Sequence, residues 1–227
     1  MGTNSPLTRP DELRLDVLPD ETQKAFVACT SFDFLQSDNW YLAGGTGLAL
    51  QVGHRRSFDL DFFTEKKDFE VTFVERLLLE KGDWVTTHSD RGTLYGLFKG
   101  AKMSFIAYPF FRPSSAHVQC GTVRILVPDD IAAMKIVALS QRGKKRDFVD
   151  LYWYGAIHKG SLTDTLQRTV AQYPDKKHSL PHFIKSLAYF ADAEEDPMPQ
   201  LFFEATWDSI KKYFERAAVE AAREMLL

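Results

Sequence analysis

Two successive glycines, Gly44 and Gly45, followed by Thr46, stand between an apolar run and a helically spaced one, and a chain passes such a point by a tight turn. Trp40, Tyr41, Leu42 and Ala43 before the glycines predict a strand; Leu48, Ala49, Leu50 and Val52 after them predict a helix. A second strand is predicted over 57–62. Strand side chains alternate faces, so Asp59 and Asp61 are expected to project together while Phe58, Leu60 and Phe62 pack behind them.

That pairing points to metal binding. Carboxylates roughly 7 Å apart on one strand face repel each other unless a cation lies between them, and Mg2+ is a hard ion that takes oxygen ligands. Glycines let backbone approach a ligand closely, and the N–H groups at a helix start favour an anion such as a phosphate. The unit can therefore hold a metal against a triphosphate, which suggests phosphoryl or nucleotidyl transfer. Taken singly, a Gly-Gly pair is an ordinary turn and an Asp-x-Asp strand an ordinary solvated face. Their combination, with Asp59 placed 13 residues beyond Thr46, is far more specific.

The stretch AGGTGLALQVGHRRSFDLDFF resembles the Gly-Gly-[Ser/Thr]…Asp-x-Asp motif of the polymerase-β-like nucleotidyltransferase superfamily, and more narrowly the AbiEii/AbiGii toxin family. The resemblance extends from about residue 20 to residue 215. It implies an α/β (α+β) fold: a nucleotidyltransferase core with a mixed sheet flanked by helices, then a helical subdomain. It also implies a toxin of a bacterial toxin–antitoxin or abortive-infection system, with an antitoxin protein as partner.

Composition sets wide bounds. The chain has 227 residues, 44% hydrophobic and 13% aromatic, enough for a packed core. A net charge of −3 gives no global attraction to nucleic acid, so an RNA partner would need a local basic patch. Cys29 and Cys120 are the only cysteines and have no metal-ligand spacing, which argues against a disulfide framework and a zinc site. No signal-peptide core and no 18-residue apolar run is present, so a cytoplasmic protein with no membrane partner is expected.

In chain order, residues 1–19 are expected as a loose arm, 20–127 as the core domain and 128–227 as the helical domain. Helices are predicted over 20–35, capped by Asp20, and over 67–81, stopped by Gly82. Strand-like runs follow at 84–88, 93–99 and 101–108, then a loop over 109–121 and a short strand over 122–127. Within the third of these runs the superfamily usually places another carboxylate facing the first two. Here Ser104 occupies that place. Beyond Pro128 helices are predicted over 131–142, after Gly143, from Ser161 with a capping-box pattern, over 180–190 and from Trp207. His178 and His182, four apart with no third ligand, read as surface histidines.

A second informative stretch is KIVALSQRGKKRDFVDLYWY over 135–154, in which Asp147 and Asp150 are spaced to share a helix face. Residues alone allow a cap or surface pair for the acids and a snorkelling lysine for Lys135. The stretch is similar to the second signature of the AbiEii-like family, which implies that Lys135 neutralises phosphate charge and that Asp147 serves as base or as the missing third acid.

The expected activity is Mg2+-dependent (or Mn2+-dependent) nucleotidyl transfer from an NTP to a hydroxyl of an RNA (tRNA) or protein acceptor. Gly44, Gly45 and Thr46 hold the triphosphate, His54, Arg55 and Arg56 lie within reach of it or are solvated loop charges, and Asp59 and Asp61 bind the metal. Two alternatives stay open. Ser104 favours a nucleotide-binding sensor or scaffold without turnover, and the run Arg142, Lys144, Lys145, Arg146 is the dense basic stretch an RNA-binding module would use.

Overall fold

The apolar run before the glycines forms strand β1 (Tyr41–Leu42), and the helically spaced run after them forms helix α3 (Gly44–Val52). Both belong to the first of two units, Met1–Val127 and Pro128–Leu227, in a computed structural model that describes residues 12–174 and 179–226. His178 lies outside the described residues.

The first unit also contains α1 (Asp20–Cys29), α2 (Asp33–Ser37), β2 (Leu60–Thr64), α4 (Val71–Lys81), β3 (Trp84–Asp90), β4 (Thr93–Phe98), β5 (Ala101–Ala107), β6 (His117–Cys120) and β7 (Val123–Leu126). Among the described residues the strands form one mixed sheet in the order β3-β4-β5-β2-β1-β7-β6. Strand β2 runs antiparallel to β1 and parallel to β5, so the strand carrying Asp61 lies inside the sheet with both neighbours fixing its register. Leu60 and Phe62 enter the core on one face, where Phe105 is the hub. Its ring centroid lies 5.2 Å from Trp40, 5.3 Å from Phe62 and 6.1 Å from Phe34. Removing an aromatic of this kind costs about 3–5 kcal/mol.

Four local expectations are corrected. The helix predicted over 20–35 is two helices, because Thr122 takes the carbonyls of Thr30 and Cys29 at the break, through its N–H at 2.9 Å and its hydroxyl at 2.9 Å. Asp20 is the first residue of α1, not its cap; Pro19 holds the cap position. The loop predicted over 109–121 contains β6, which pairs antiparallel with β7. Finally, Leu13, Val17 and Leu18, in a stretch without clear periodicity, are buried in the core, and the Arg14 N–H donates to the Leu50 carbonyl at 2.7 Å.

The second unit is helical: α5 (Pro128–Gln141), α6 (Lys145–Tyr152), α7 (Leu162–Gln172), α8 (Leu180–Leu187) and α9 (Trp207–Leu226). Gly143, at φ +46°, turns the chain between α5 and α6, as a glycine after a helix end does. The predicted cap of α7 is present, with the Ser161 hydroxyl accepting from the Asp164 N–H at 3.0 Å. Phe148 centres this unit's packing, its ring centroid 5.3 Å from Phe214 and 5.6 Å from Trp207.

Candidate active site

Helix α3 begins one residue after β1, so its first-turn amides, those of Gly44, Gly45 and Thr46, have no partner within the helix and carry the positive end of its dipole. Gly44 adopts φ +66°, and a Cβ there would stand 3.1 Å from Oδ2 of Asp61. The helix start and this carboxylate are thus brought together. The Ala43 N–H donates to the Asp61 carbonyl at 3.1 Å and holds the two in register. Gly45 is required for a different reason: a Cβ there would overlap the guanidinium of Arg55.

Thr46 is buried, and its hydroxyl points into the protein, bonding with the Ser57 hydroxyl at 2.8 Å and donating to the Asp59 carbonyl. Its side chain ties the turn to the segment entering β2. His54 and Arg55 are buried as well, and Arg55 donates to the Arg56 carbonyl at 2.9 Å, which places its charge under the turn instead of in open solvent. Arg56 is partly exposed, with the Asp16 carbonyl 3.5 Å away.

Asp61 sits on β2 as predicted, but Asp59 precedes the strand, which starts at Leu60. Phe58, expected behind the carboxylates, is 58% exposed, its carbonyl accepting from the Thr22 hydroxyl at 2.8 Å. Ser104 is the register partner of Asp61 on β5, and its hydroxyl donates to Asp61 Oδ1 at 2.7 Å. Among the described residues there is no group of three or more metal-ligating side chains. Mg2+ does not require one, since it is usually held by one or two carboxylates together with substrate phosphates and water. Asp61, an oxygen ligand beside an anion-favouring helix start, fits that ion.

In the second unit Lys135, Asp147 and Asp150, which the residues alone allow as a snorkelling lysine and a cap or surface pair, are instead buried together. The Lys135 ammonium donates to Asp147 Oδ1 at 2.6 Å and lies 2.7 Å from Asp150 Oδ2, all three side chains buried. The spacing of Asp147 and Asp150 is the sequence signal for this triad; the ion pair itself needs α5 packed on α6. Arg142 approaches Asp147 Oδ2 at 3.7 Å. The basic run that begins there is largely engaged: Lys144 meets Asp196 at 3.4 Å, while Lys145 donates to the Asp196 carbonyl at 2.5 Å and lies over the Trp207 ring. Ser57 is a site residue that sequence reasoning missed, because hydroxyl direction leaves no mark on sequence spacing.

Comparison with known proteins agrees with this architecture. The fold is that of nucleotidyltransferases. A crystal structure described as a nucleotidyltransferase from H. pylori matches at TM-score 0.54 and 18% identity, covering 90% of this chain and 96% of that one. MenT4, a nucleotidyltransferase toxin from Mycobacterium tuberculosis H37Rv, matches at TM-score 0.55 and 14% identity, covering 89% and 84%. An uncharacterized Aquifex aeolicus (strain VF5) protein is 34% identical over 188 residues, 81% of this chain and 88% of its own length. The profile of the nucleotidyl transferase AbiEii toxin family, of type IV toxin–antitoxin systems, matches residues 111–226, and the chain belongs to that family of nucleotidyltransferases. No helix among the described residues is long and apolar enough to cross a membrane.

Proposed function

We propose that this protein transfers a nucleoside monophosphate from an NTP to a hydroxyl of an RNA, such as tRNA, or of a protein, with Asp59 and Asp61 holding Mg2+. The observation that supports this reading most is the approach of Asp61 Oδ2 to Gly44, which sets an oxygen ligand beside a helix start suited to phosphate. The amides of Gly44, Gly45 and Thr46 bind the triphosphate, and the buried Arg55 adds positive potential from behind the turn. When bound, the ion neutralises developing charge on the phosphoryl oxygens. The acceptor hydroxyl gives up its proton to water as its oxygen forms a bond to the α-phosphorus, the bond from that phosphorus to the bridging oxygen breaks, and pyrophosphate leaves. The protein's work is positioning and charge neutralisation. The family resemblance extends the charge handling to Lys135 and Asp147, and their coupling through a 2.6 Å ion pair means that each sets the other's position. A cognate antitoxin is the expected protein partner.

One observation favours a second reading. Ser104 stands where a third carboxylate is expected, as in a nucleotide sensor that binds without turnover. Incubating the protein with each α-labelled NTP, Mg2+, total tRNA and lysate protein tests both, beside an Asp59→Ala/Asp61→Ala variant. Label on an RNA or protein band with the wild type alone supports transfer and gives the acceptor class. Mg2+-dependent NTP binding with no label and no pyrophosphate supports the sensor.

A further inference from the structure

The hydroxyl of Ser104 has no role in the transfer described above, yet its placement is specific. It is 6% exposed, lies directly across from Asp61 on the adjacent parallel strand, and donates to Oδ1 at 2.7 Å while Oδ2 of the same carboxylate faces Gly44. An aspartate carboxylate turns broadly about its terminal bond, and a hydrogen bond to one oxygen fixes where the other points. A hydroxyl also differs from the carboxylate it replaces by a full negative charge. Each carboxylate lining the site adds to the negative field that draws divalent cations, and a neutral hydroxyl adds none.

We propose that Ser104 is a positioning residue for Asp61, turning Oδ2 toward the helix start, and that its neutrality limits the site to a single divalent cation. This rests on the metal-binding reading of Asp59 and Asp61. The test is Mn2+ binding to the full chain, followed by electron paramagnetic resonance with and without a non-hydrolysable NTP analogue. With the analogue present, one Mn2+ per chain is expected. Ser104→Ala is expected to bind Mn2+ about tenfold more weakly, the scale of losing a hydrogen bond to a charged group. Ser104→Thr keeps the hydroxyl on a strand that suits a β-branched residue and is expected to retain wild-type affinity. Ser104→Asp is expected to bind two ions. Wild-type affinity in a folded Ser104→Ala variant, or two ions in the wild type, would overturn the inference while leaving the transferase reading intact. A wild type that binds neither Mn2+ nor the analogue overturns the reading beneath it instead. If the alanine and aspartate variants fail to fold by circular dichroism, wild-type stoichiometry and the threonine variant still decide, since two ions or weak binding by Ser104→Thr would each contradict the assignment.

Discussion

Lys135 and Asp147 form a buried ion pair at 2.6 Å, joining α5 to α6, and Asp150 takes the same ammonium at 2.7 Å. Such a cluster is costly to break from one side. Lys135→Met removes the ammonium that two buried carboxylates share, while Arg142 stays 3.7 Å from Asp147, and the expected loss is about 3–5 kcal/mol in urea unfolding of the full chain. A loss below about 1 kcal/mol, the worth of an exposed pair, would mean that the cluster is hydrated. Lys135→Arg keeps the charge and separates roles: a folded variant without activity would show that Lys135 acts in transfer as well as in packing.

Gly45→Ala drives a methyl group into the Arg55 guanidinium. We expect about 1–3 kcal/mol of destabilisation, as for overpacking, together with loss of NTP binding by calorimetry. Ala49→Gly serves as the control further along the same helix, at a buried position. It should cost about 1 kcal/mol of stability and leave nucleotide affinity unchanged. Equal loss of affinity in both variants would mean that general destabilisation, not the shape of the turn, governs binding.

Thr46→Val keeps shape and removes the hydroxyl that bonds Ser57 and the Asp59 carbonyl. Losing these two bonds from a buried side chain costs about 1–3 kcal/mol, and thermal unfolding should show it. Thr46→Ser retains the bonds and is expected to stay near wild type. Equal melting of the valine and wild-type proteins would refute the tie.

Burial works to raise the pKa of Asp196, but the Lys145 N–H, at 3.0 Å, and the Lys144 ammonium outweigh it and hold the carboxyl below its ordinary value. A carboxyl depressed on folding stabilises the fold above its unfolded pKa, and that stability is lost as pH falls through the folded one. Asp196→Asn is therefore expected to lower the melting temperature at pH 7, with the gap from wild type closing at acid pH. A gap that stays constant below the carboxylate range would show that the bond geometry, not the charge, matters.

The parts of the fold legible in the sequence are those fixed by neighbours in the chain. Gly44, Gly45 and the run into α3 announce strand, turn and helix because backbone freedom and apolar spacing are local properties. What escaped depends on distant contacts. The break after Cys29 is imposed by Thr122, at a sequence separation of 93. Phe58 leaves the alternating pattern because Thr22 holds its carbonyl outside the strand. Arg55, equally able to reach outward or inward by sequence, turns under Gly45, where the absent side chain makes room.

Both cysteines are free and buried, and burial pushes both thiols above their ordinary pKa, Cys29 most strongly. Thiolate is the nucleophile that reacts with alkylating reagents, so the native chain is expected to be silent toward maleimide dyes at neutral pH. A single cysteine introduced at an exposed position such as Tyr189 would then take up a fluorophore alone, giving a site-specific optical reporter without first engineering a cysteine-free background.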